Sequence, residues 1–111
     1  MALDLPNAKI KLTTGVSEGT AETVYTATAN DQKITSIRAA NTDGVNSATV
    51  SVFIANGGYN YFINKLTPVP AGGALNLVAG DDINVETGDV IKAYADATGK
   101  VDVIISFAEI S

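Results

Sequence analysis

Short runs in which apolar and polar residues alternate recur about every 8–14 positions, and turn-forming residues separate them. Period two sends successive side chains to opposite faces, so each run reads as a strand with one face free to join a core. Nine such runs are present: Lys9–Thr14, Glu22–Ala29, Lys33–Ala40, Ala48–Ala55, Tyr59–Lys65, Leu75–Ala79, Ile83–Glu86, Asp89–Ala97 and Val101–Glu109. Small and β-branched residues dominate, whereas the Glu, Lys, Arg and Leu of surface helices are sparse, so helix is expected to be close to nil. A length of 111 residues allows one domain. The expectation is an all-β, single-domain β-sandwich or jelly-roll-like barrel of about nine short strands over residues 9–111, preceded by an N-terminal arm, residues 1–8. Strand order is not readable at this stage.

Some runs depart from strict alternation in informative ways. Ile34 and Ile37 are three apart, which calls for a β-bulge between them or burial of both faces. Asn56-Gly57-Gly58 predicts a tight hairpin, since Asn and Gly accept the positive φ of primed turns. Pro68 and Pro70 cannot donate to a ladder, so Thr67–Gly73 is an edge or a crossover. Asp96–Lys100 reads as the last hairpin. In the final strand Val101, Val103, Ile105 and Phe107 share a core face, and Ile104, Ala108 and Ile110 make the opposite face apolar too.

The composition narrows function by subtraction. Without histidine or cysteine the chain has no imidazole base, no disulfide and no thiolate metal site. A net charge of −5, with seven basic residues scattered along the chain, argues against a sequence-independent grip on nucleic acid. No segment is apolar and long enough to span a bilayer, and Met1–Pro6 lacks the basic start and apolar run of a secretion signal. A complete, cytoplasmically made protein is expected. Gly-x-Ser-x-Gly and phosphate-loop spacings are absent, and a carboxylate pair of the glycosidase kind needs a deep cleft that so small a sandwich seldom encloses. We expect no enzyme activity, no catalytic residues and no cofactor.

Three segments remain as candidate sites. The stretch from Gly80 to Asp89 gathers Asp81, Asp82, Glu86 and Asp89, enough oxygen for Ca²⁺. Its spacing is not that of an EF-hand, and adjacent Asp81 and Asp82 tend to point opposite ways, so a solvated turn is the favoured reading and no metal site is assigned. Tyr59, Tyr61 and Phe62, interleaved with Asn56, Asn60 and Asn64, form the most aromatic segment. They suit a protein–protein contact, a stacking platform for a sugar, or packing over a sheet edge. Leu3, Leu5 and Pro6 give the N-terminal arm apolar character; such an arm is disordered in a monomer or docks on a neighbouring subunit.

The runs Val24-Tyr25-Thr26-Ala27-Thr28-Ala29-Asn30 and Ile34-Thr35-Ser36-Ile37-Arg38-Ala39-Ala40-Asn41-Thr42-Asp43-Gly44 resemble small virion proteins of tailed bacteriophages. Val69–Leu75, Leu77–Ile91 and the closing Val101–Phe107 are similar to theirs as well, so the likeness covers about residues 22–110. The resemblance implies a β-sandwich used in many copies and carries over no catalytic residue. A stand-alone module of this kind looks like a capsid decoration (cement) protein. Its implied partners are the major capsid protein and itself, as a homotrimer, and its place is the virion, assembled in the host cytoplasm. A tail, neck or baseplate component, and a carbohydrate-binding module, are the alternatives. Leu3, Leu5, Pro6, Tyr59, Tyr61 and Phe62 are the expected contact residues.

Overall fold

The structure, a computed structural model, describes residues 3–4, 7–13, 16–27, 32–78, 83–96 and 99–110. Among these, ten strands follow in chain order: β1 (Leu3–Asp4), β2 (Asn7–Leu12), β3 (Glu22–Thr26), β4 (Gln32–Asn41), β5 (Ala48–Asn56), β6 (Tyr59–Val69), β7 (Ala74–Asn76), β8 (Ile83–Val85), β9 (Val90–Ala95) and β10 (Val101–Ile110). A single 3₁₀ turn, Glu18–Thr20, is the one helical element among the described residues.

All ladders are antiparallel and fall into two sheets. In one, β10 lies between β4 and an edge made of β1 and β2. These two keep a single register along β10, from Leu3↔Ile110 to Leu12↔Val101. β7 and β8 together occupy the far side of β4, in different registers. The other sheet has the order β3-β9-β5-β6. Treating each broken edge as one strand leaves two four-stranded sheets, between which the chain alternates except at the β5–β6 hairpin. This is the strand order of a jelly roll, a β-sandwich built from Greek keys.

The core lies between the sheets. Ile34, Ile37, Val101, Val103 and Ile105 face Val50, Val52, Ile91 and Ala93, all with no exposed surface. Burying each large aliphatic side chain contributes about 1.5–3 kcal/mol relative to exposure. Ile34 and Ile37 both reach this core because the β4–β10 register skips Thr35. Thr35 is the bulge residue, exposed, and its hydroxyl donates to Ser106 O at 3.0 Å. Among the described residues the buried polar side chains Gln32 and Asn41 are partnered: Tyr25 Oη donates to Gln32 Oε1 at 2.9 Å, and Asn41 Nδ2 donates to Val69 O and Asn46 O, whereas the buried Asn64 Oδ1 accepts no hydrogen bond.

One expectation changes. Asp96–Lys100 does not close a hairpin, because β9 and β10 belong to different sheets. Turn chemistry reports where the chain reverses and not whether the strands on either side pair. Phe53 lies outside the main core, on the opposite face of β5 from Val50 and Val52, and is 1% exposed. It packs on Phe62 at 4.9 Å between ring centroids and on Tyr94 at 6.4 Å. The loop leading into β3 contributes to this outer layer, since Glu18 Oε2 accepts from Asn60 Nδ2 at 2.7 Å on β6, the opposite edge of that sheet.

Candidate functional site

Gly57 and Gly58, at φ 63° and 86°, form a two-residue turn that only glycine-like residues make without strain. It sets the register Asn56↔Tyr59, Ile54↔Tyr61 and Phe53↔Phe62. Tyr59 and Tyr61 therefore share one face, while Phe62 joins Phe53 on the other. At the end of the edge strand the two tyrosines stay 70% and 58% exposed. Their ring centroids are 6.4 Å apart and the planes are inclined at 47°. Phe62 is half-buried, with Lys65 Nζ 4.9 Å above its ring.

Further along β6 the strand bulges, and Leu66 adopts φ 53° with its side chain 55% exposed. The buried Ser51 hydroxyl accepts the freed Leu66 N–H at 2.8 Å. Proline at position 68 and these bulges interrupt the edge, whereas Tyr59–Phe62 keeps a regular register. Of the N-terminal candidates, Leu3 pairs through its backbone with Ile110 of the same chain. Leu5 and Pro6 lie outside the described residues, as do Asp81 and Asp82. Asp89 is committed locally: its carboxylate accepts from Glu86 N at 3.0 Å and from Asn56 Nδ2. Among the described residues no three metal-ligating side chains converge.

The outer face of the β10 sheet carries a feature that sequence reading missed. The registers place Lys9, Lys11, Lys33 and Arg38 on the side opposite the core, four of the seven basic residues. Scattered in sequence, they converge because β2 and β4 flank β10 and the Thr35 bulge keeps Lys33 and Arg38 on one side. Ile104, 37% exposed, stands in register with Lys9 on one neighbour and Arg38 on the other. Lys11 pairs with Asp102 at 2.7 Å. Lys9, Ile10, Lys11, Asp102 and Ile104 line a shallow hollow there. The lysines at alternate positions 9 and 11 were the available signal, but the pairing of β2 with β10 was not.

The carboxylates behave differently. Glu18, Glu22, Asp43, Asp89, Asp96 and Asp102 each accept a hydrogen bond from the chain itself. Asp43 is the clearest case: the N–H groups of Val45 and Asn46, donating at 2.8 and 3.2 Å, hold its carboxyl below the ordinary 3.8. Among the described residues, Glu22, Asp43, Asp89 and Asp96 thus accept from backbone N–H groups of loops and strand ends. The surface of the described residues presents, with other features, an aromatic edge and a basic sheet face. No protein-family model matches the chain, and neither does any curated protein.

Proposed function

We propose that this chain is a non-enzymatic virion structural protein of a tailed bacteriophage, a capsid decoration protein. In this reading it binds the major capsid protein and its own copies, as a trimer, and reinforces the shell by adding buried interface. The observation that carries the reading is the tyrosine pair on the regular part of the β6 edge, exposed and, among the described residues, without a partner beyond each other's ring. Tyrosine supplies rigid contact area at little entropic cost, and such anchors dominate protein interfaces. A jelly roll with one continuous core suits use as a repeated building block, and the resemblance to small virion proteins supplies the setting.

The same tyrosines keep the glycan-binding reading in view as the second one. A sugar ring stacks best on a flat platform, and rings inclined at 47° do not present one plane, which favours the protein contact. Immunogold labelling of virions of the phage that carries the gene tests the proposal. Gold over the heads is expected. Gold confined to tails or necks moves the protein to that part of the particle, and unlabelled virions overturn the reading. Light scattering at micromolar concentration should give a mass near three times 11.4 kDa, and Tyr59→Ser/Tyr61→Ser should lower it without changing the circular dichroism.

A further inference from the structure

We propose that the outer face of the β10 sheet is a second docking surface, and that its occupant is an acidic surface on a different protein. The inference rests on the attachment reading above for the occupant being a protein subunit. Its geometry stands independently of that reading.

Lys9 and Arg38 are exposed and, among the described residues, have no ion-pair partner. They flank Ile104 in register on a sheet face whose nearest outward neighbours are the short Ser36, Ala40 and Ser106 and the mutually paired Lys11 and Asp102. That arrangement is an apolar centre flanked by two free cations, with the adjacent carboxylate, Asp102, already neutralised by Lys11. Among the described residues neither cation takes part in a side-chain hydrogen bond or ion pair, in contrast to the carboxylates of Asp43, Asp89 and Asp96. Charge decides between occupants. The same face of a second copy would bring like charges together, which disfavours a symmetric dimer through it. Among the described residues, Glu18, Glu22, Asp43, Asp89, Asp96 and Asp102 of a second copy are already engaged within their own chain. A nucleic acid is a long polyanion, and a chain of net charge −5 repels it at range. A compact protein with a local cluster of free carboxylates around an apolar contact meets neither obstacle.

The test is an NMR titration of the ¹⁵N-labelled full chain with the end-capped peptide Glu-Glu-Leu-Glu-Glu at low ionic strength. Saturable shifts are expected at Lys9–Lys11, Ser36–Arg38 and Asp102–Ser106, with a Kd on the order of 1 mM that weakens severalfold on going to 0.3 M salt. Lys9→Glu/Arg38→Glu should abolish these shifts while the remaining spectrum stays dispersed; Ile104→Ser should weaken binding and leave its salt dependence. Absence of shifts, shifts centred on Tyr59–Tyr61 instead, or binding unchanged in the double variant overturns the proposal. So does a short DNA duplex that perturbs the same amides more strongly, or dilution of the protein alone that moves them, which would assign the face to nucleic acid or to a second copy. Failure here with labelled heads, or success here with unlabelled virions, separates this inference from the attachment reading.

Discussion

Leu66 holds a left-handed backbone conformation while leaving more than half of its side chain in water. That conformation costs an L-residue about 1–2 kcal/mol, and glycine escapes it at the cost of about 0.5–1 kcal/mol in lost chain freedom. Leu66→Gly is therefore expected to stabilise the protein by about 0.5–1 kcal/mol, seen as a higher urea midpoint at unchanged slope. A lower midpoint would mean that the side chain contributes packing its exposure does not suggest. Asp43 makes a prediction about pH. Its folded pKa lies below the ordinary 3.8, so its contribution is fully present above that value and disappears as pH falls through the lower folded one. Urea unfolding between pH 5 and pH 2 should show a shallower acid loss for Asp43→Asn than for the wild type. Identical acid limbs would show that the Val45 and Asn46 contacts persist in the unfolded chain or are worth nothing.

Strand β4 shows how one residue can govern a whole element. Thr35 is the extra residue of the bulge, so deleting it leaves Ile34 opposite Phe107 and Ser36 opposite Ser106, now in plain alternation. A folded protein with a cost below about 2 kcal/mol is expected, chiefly for the lost Thr35–Ser106 bond and local readjustment. Deleting Arg38 instead turns Ile37 to solvent and Ser36 into the core, and should cost about 3 kcal/mol or more. Chemical denaturation of the two deletions compares them directly, and equal costs would refute the argument. The three-residue spacing of Ile34 and Ile37 left a bulge or burial of both faces, and Pro68 an edge or a crossover; the structure has the bulge and the edge, while Gly57-Gly58 made the hairpin legible outright. Pairing was not legible. Turn residues mark reversals, whereas the choice of sheet is made by contacts between strands far apart in sequence, and β9 and β10 went to different sheets for that reason. The basic face around Ile104 stayed hidden for the same cause: Lys9 and Arg38 become neighbours only once β10 lies between β2 and β4. The tyrosines were nameable as a candidate, but their tilt is a matter of side-chain geometry that no spacing encodes.

For the molecule as a whole, the ladders join distant parts of the chain, with Leu3 beside Ile110 at one extreme and Ala48 beside Val69 among the nearer pairs. Such non-local pairing makes folding slow, because loop closure must precede the contacts that reward it. The jelly roll also has a definite weak link in time. The strand that lies between β2 and β4 is β10, residues 101–110, and it leaves the ribosome after both of its neighbours. Until it arrives, the sheet exists as two unconnected edges with a slot one strand wide, lined by Leu12 and Ala8 on one side and Ile37 and Ala39 on the other. Any β10 of the right sequence fits that slot, and in a cell making many copies at once the nearest one can belong to a neighbouring chain. Intertwined copies, joined by an exchanged strand and not by any surface of the finished fold, are thus the characteristic error to which this architecture is open.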